Sequence, residues 1–252
     1  MDYTKFKRHL REFVMAKHEL VNNIDHKDIK IDTKRCEEYG DNIWYSFTFV
    51  DEFRAVQAYY PIFFNKDPQT GQFTPVALFG FQDQENLFLD DHGWQAGYIP
   101  ISVSRMPFTI GKQMQNGEEA RVLTIDIEHP RVNKQIGQPL FLDFGGNSDY
   151  LESIAEMMEA LHHGVAKNAE FVNCLTELEL LEPFTLDVQL NDQSKNQMIG
   201  FYTINEEKLA KLSDEQLSGL WHSGYLKAIH FIMASQGNIG HLISKKNKQL
   251  GL

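Results

Sequence analysis

Within residues 86–105, Asn86, His92, Trp94, Tyr98 and Arg105 bring flat aromatic faces together with hydrogen-bonding and cationic side chains. Trp and Tyr pair a large apolar body with a polar tip, and a nearby Arg can hold a carboxylate or stack on a ring. Such a mixture suits planar or sugar-like ligands, so these five residues form the candidate binding site. The plainer alternative is a core built from the aromatics, with the polar residues serving only as turns.

Other arrangements carry weaker chemistry. His26-Lys27-Asp28 has the form of two ligands of a facial iron triad, with His92 as a third ligand and Arg105 as an anchor for a 2-oxo acid. Asp126 and Glu128 stand two apart on an expected strand, the geometry of a carboxylate pair for acid and base work, but the alternating apolar partners already explain the pattern and a solvated strand face is the reading taken. His162 and His163 point about 100° apart on a helix, and His222 and His230 are poorly spaced for one shared ligand face. Phe144-Gly145-Gly146-Asn147-Ser148 reads as a turn and helix cap, without the basic residue an anion cradle would use. No nucleophile elbow, phosphate loop, dinucleotide fingerprint or His-Glu-x-x-His helix occurs. No catalytic residue or metal ligand is therefore assigned, and the cofactor is left open.

The elements that must position these residues follow from periodicity. Phe6, Leu10, Phe13 and Val14 recur at helical spacing among Lys5, Lys7, Arg8, Arg11 and Lys17, which predicts an amphipathic helix over residues 1–20. Residues 44–108 hold sixteen of the thirty aromatic residues, in short apolar runs divided by turn chemistry such as Asp67-Pro68-Gln69-Thr70-Gly71 and Asp90-Asp91-His92-Gly93. Short strands in an antiparallel or mixed sheet are expected there.

Residues 121–129 alternate as a strand with Leu123, Ile125 and Ile127 inward. A long helix opens at Asp149, with Glu152 completing a capping pair, and runs to about Leu181. A hairpin over residues 184–204 follows, then helices begun by Asn205 and by a Ser213 to Gln216 capping box, and a buried segment from Tyr225 to Met233. The expected fold class is α+β, with the sheet in the aromatic-rich N-terminal and middle part and helices toward the C-terminus. The absence of a Gly-, Pro- or Ser-rich linker makes residues 21–252 a single expected domain.

A net charge of −11 disfavours partners that demand clustered Lys and Arg, so neither nucleic acid nor an anionic membrane surface is expected. No apolar stretch is long enough to span a bilayer, and the charged run at the N-terminus leads to the expectation of a soluble protein made without a secretion signal. Cys36 and Cys174 form neither a disulfide framework nor a zinc knuckle, and a cytoplasmic location fits best.

Several runs together resemble the SapC-like family of bacterial proteins. They include Tyr60-Pro61-Ile62-Phe63-Phe64, Val76-Ala77-Leu78-Phe79-Gly80-Phe81, Glu85-Asn86-Leu87-Phe88-Leu89, Tyr98-Ile99-Pro100 and Gly137-Gln138-Pro139-Leu140-Phe141. Ile204-Asn205-Glu206-Glu207-Lys208-Leu209 and Leu212-Ser213-Asp214-Glu215 extend the likeness through the second half, so that it covers roughly residues 26 to 245. The resemblance implies a family whose name is tied to bacterial surface layers, and it brings no general biochemical activity with it. The expectation is a cytoplasmic accessory or binding protein that recognises a small molecule or a partner protein through its aromatic middle segment. Two alternatives stand beside it: an iron-dependent enzyme acting on a small molecule, and a homo-oligomeric assembly factor whose basic N-terminal helix docks on the acidic body of a neighbouring copy.

Overall fold

The computed structural model describes residues 17–115, 117–193 and 195–252. In chain order its strands are β1 (His18–Leu20), β2 (Lys30–Ile31), β3 (Tyr45–Phe47), β4 (Ile62–Lys66), β5 (Phe73–Leu78), β6 (Leu89–Asp90), β7 (Gly93–Trp94), β8 (Phe108–Gln115), β9 (Glu118–Asp126), β10 (Val132–Asn133), β11 (Gln138–Pro139), β12 (Leu181–Gln189) and β13 (Lys195–Ile204). The helices are α1 (Phe53–Val56), α2 (Ile101–Ser104), α3 (Asp149–Glu177), α4 (Glu206–Leu209), α5 (Asp214–His222), α6 (Tyr225–Ser235) and α7 (Ile239–Gln249). This is an α+β fold with antiparallel sheets, and its helices gather toward the C-terminus. The described chain divides into two compact units, residues 17–34 with 105–159 and residues 35–104 with 160–252, although no linker composition marks the division.

In the first unit, β8 and β9 form a long hairpin that turns at Gly117, whose φ of +86° is open to glycine. Phe108 and Ile125 face each other across it and are both fully buried, each contributing roughly 1.5–3 kcal/mol through loss of apolar surface to water. β1 adds to the free edge of β9, pairing His18 with Asp126 and Leu20 with Thr124. Residues 1–16 of the helix expected over residues 1–20 lie outside the described residues, while His18–Leu20 are strand, because the β9 edge satisfies their backbone groups.

The strand expected over 121–129 ends at Asp126, and the chain then turns, with the His129 N–H bonded to the Asp126 carbonyl. A second small sheet pairs β2 with both β10 and β11. Gly137 makes that sheet possible: its φ is +102°, and a Cβ there would sit 2.1 Å from the Ile31 carbonyl oxygen.

The second unit is built on an antiparallel sheet in the order β12-β13-β4-β5-β3. Ile62, Phe63 and Phe64 are successive residues of β4 and all are buried, so both faces of this central strand are covered. Phe53, Val56 and Tyr60 from the α1 region, Phe171 and Leu175 from α3, and Ile229 and Ile232 from α6 belong to the same apolar cluster.

The caps read from the sequence at Asn205 and Ser213 are present, Ser213 and Gln216 forming a reciprocal capping box. At α3 the capping residue is Ser148 and not the expected Asp149, because the Ser148 hydroxyl accepts the Leu151 N–H while Glu152 is bound by the Asn147 amide. The first part of α3, to Glu159, belongs to the first unit and the remainder to the second. Among the described residues, no helix is long and apolar enough to cross a membrane.

Candidate functional site

The middle segment of the second unit holds a buried polar network and, adjoining it, an open cleft. The network centres on Glu52, which precedes α1 and is 4% exposed. One carboxylate oxygen accepts the Tyr98 hydroxyl at 2.8 Å and the Ile101 N–H at 2.6 Å, and the other accepts the Thr48 hydroxyl at 2.7 Å. Burial raises the Glu52 pKa, against the lowering effect of these donors. The Tyr98 phenol is pushed up by burial and then by the adjacent Glu52 charge, so it stays a donor at neutral pH. Tyr60, fully buried, donates its hydroxyl to the Tyr98 carbonyl and accepts the Trp94 indole N–H at 2.7 Å. Burial raises its pKa as well. Each polar tip of this aromatic cluster therefore has a partner, which is what allows it to be buried.

The cleft, of about 330 Å³, is lined by Ala58, Tyr59, Phe88, Gln95, Asn238, His241, Ser244 and Lys245. Phe88 links it to the network, since its ring packs edge-on to Tyr60 with centroids 4.7 Å apart. On the cleft side, the Lys245 ammonium stands 4.7 Å from the Phe88 ring centroid. The Tyr59 phenol passes so close to Gly97 that a Cβ there would lie 2.3 Å from its oxygen, so the glycine makes room for the ring. The Gln95 amide donates to Asp90 and to the Gly93 carbonyl, and the Asn238 amide donates to the Gln57 carbonyl; the side-chain carbonyls of both residues remain as acceptors.

The five residues singled out from the sequence fall into four places. Trp94 and Tyr98 are joined through Tyr60 in the buried network. Asn86 and His92 belong to the same unit. Asn86 is buried, donating to the Asp41 carbonyl at 2.8 Å and accepting the Phe88 N–H, while His92 is exposed in the β6–β7 turn with its N–H on Asp90. Arg105 lies in the other unit, where it donates to the Phe108 carbonyl; its Nε is buried with no hydrogen-bond partner among the described residues, and burial lowers its pKa. None of the five lines the cleft, which takes Phe88 and Gln95 from the same segment and its cationic side from α7.

Glu52, Tyr59 and α7 were not singled out. A carboxylate inside the apolar run Phe47-Thr48-Phe49-Val50-Asp51-Glu52-Phe53 was the available signal for the first. Nothing local in the sequence links Lys245 with Phe88.

The remaining constellations are engaged structurally. His26 is buried, with Nδ1 accepting the Asn22 N–H at 3.2 Å and Nε2 at 3.2 Å from Glu19, so neither ring nitrogen is open to a metal, and Asp28 is exposed. Among the described residues no group of three His, Cys, Asp or Glu side chains is placed to hold a metal ion. Asp126 spends its carboxylate on the Lys17 and Glu128 N–H groups at the strand end. His222 and His230 each bond the carbonyl four residues back on their own helix. The Gly145-Gly146 turn is closed by its own backbone, with the Leu142 N–H on the Gly146 carbonyl and the Gly145 N–H on the Leu142 carbonyl.

No curated protein and no solved structure matches this chain. The SapC family model matches residues 21–242 of the 252, a span that takes in the whole cleft apart from Ser244 and Lys245, and the chain therefore belongs to the SapC family.

Proposed function

We propose that this SapC-family protein is a cytoplasmic accessory protein that binds a small molecule in the cleft on its aromatic middle segment. The observation that carries the reading is the cleft itself. The flat side chains of Tyr59 and Phe88 stand there beside the amides of Gln95 and Asn238 and the polar groups of His241 and Lys245, around about 330 Å³ of space. That volume lies within the range of small-ligand sites, and a mixture of flat apolar faces with a few directed polar groups is their usual lining. The polar network of Glu52, Tyr98, Tyr60 and Trp94 holds the cleft wall rigid from within, because Tyr60 packs directly on Phe88. Two free thiols, Cys36 and Cys174, accord with a reducing compartment.

The test is a hydrogen-exchange footprint of the intact protein with and without the low-molecular-weight fraction of the source cell. Protection confined to residues 85–97 and 238–248 is expected. An exchange pattern unchanged in both stretches would contradict the reading.

A further inference from the structure

We infer that the cleft selects an aromatic molecule bearing one anionic group, a carboxylate or a phosphate. This deepens the binding reading above and rests on it.

The argument begins with Lys245. Its ammonium lies over the Phe88 ring at 4.7 Å, and among the described residues no carboxylate pairs with it. Its neighbour Lys246, by contrast, is fully engaged by the buried Glu85 at 2.5 Å. Two successive lysines of one helix thus have different tasks, one locking the fold and one presenting a cation to the cleft. A cation held at the edge of a low-dielectric wall attracts an anion more strongly than one in open water.

His241, one turn earlier on α7, faces the same cleft and supplies a ring N–H, and Ser244 adds a hydroxyl donor. Asp90 accepts the His92 N–H and the Gln95 amide on one oxygen and makes no ion pair with Lys245 among the described residues. Tyr59, exposed in the same cleft, offers a flat face for a ring, while Phe88 is the buried floor on which Lys245 rests. The donors of α7 together with the exposed Tyr59 ring define a ligand with a charged head and a planar body.

The experiment is an amide NMR titration of the intact protein with benzoate, phenyl phosphate and the neutral isostere benzamide. Benzoate or phenyl phosphate is expected to shift the amides around Phe88 and His241 and to bind about ten-fold more tightly than benzamide, the effect of one charge-assisted hydrogen bond. The tighter of the two anions identifies the head group. Lys245→Gln should erase that preference while leaving benzamide affinity within about two-fold, and Lys248→Gln, on the same helix outside this cleft, should leave it intact. Equal binding of benzamide and the anions would overturn the anionic class yet leave a ligand-binding cleft standing. No shift at the cleft with any of the three probes would overturn the inference, while the exchange footprint judges the binding reading separately.

Discussion

At the scale of single residues the chemistry concentrates on Glu52 and the two tyrosines tied to it. Burial raises the Glu52 pKa in the folded state above its ordinary 4.5. A raised folded-state pKa means that the native protein holds the proton more tightly than the unfolded chain. The resulting stabilisation is complete below pH 4.5 and is lost as pH climbs through the raised value. Glu52→Gln cannot titrate, so in denaturant midpoints measured from pH 4 to 8 the wild type should lose stability relative to the variant as pH rises. A gap that stays constant, or that moves the other way, would contradict the assignment. Tyr60→Phe removes one oxygen but strands two groups, the Trp94 indole N–H and the Tyr98 carbonyl. It should cost about 2 kcal/mol in chemical denaturation, more than a surface hydroxyl would.

At the scale of elements, the units of structure follow from local rules and their junctions from space that must be left empty. Gly137→Ala would force a Cβ into the Ile31 carbonyl at an already left-handed backbone, and should destabilise the β2, β10 and β11 sheet by about 3 kcal/mol, read as a fall in melting temperature. The caps at Asn205 and Ser213, the C-terminal hairpin and the buried helix from Tyr225 were legible in the sequence because each depends on residues close along the chain. The strand at His18–Leu20 was not, because its partner, β9, lies more than a hundred residues away and only pairing reveals an edge that needs covering. The aromatic segment was legible as an important region. Its division into a buried network and an open wall was not, since Trp94 and Tyr98 turn inward to Tyr60 and Glu52 while Phe88 meets a lysine from α7.

At the scale of the whole molecule, an acidic SapC-family chain carries a cation-edged aromatic cleft on the unit that also contains its large apolar cluster. Binding sites set on rigid scaffolds keep their geometry without reorganisation, and a wall formed by Phe88 against the fully buried Tyr60 meets that condition. Against a net charge of −11, which disfavours anions in general, the Lys245 cation supplies the local attraction that selects one. Native mass spectrometry of freshly purified protein, wild type beside Lys245→Glu, tests this account most directly. The wild type should carry a non-covalent mass excess matching one small organic anion, and the charge-reversed variant should fly bare. A bare wild type, or the same excess on both proteins, would contradict it.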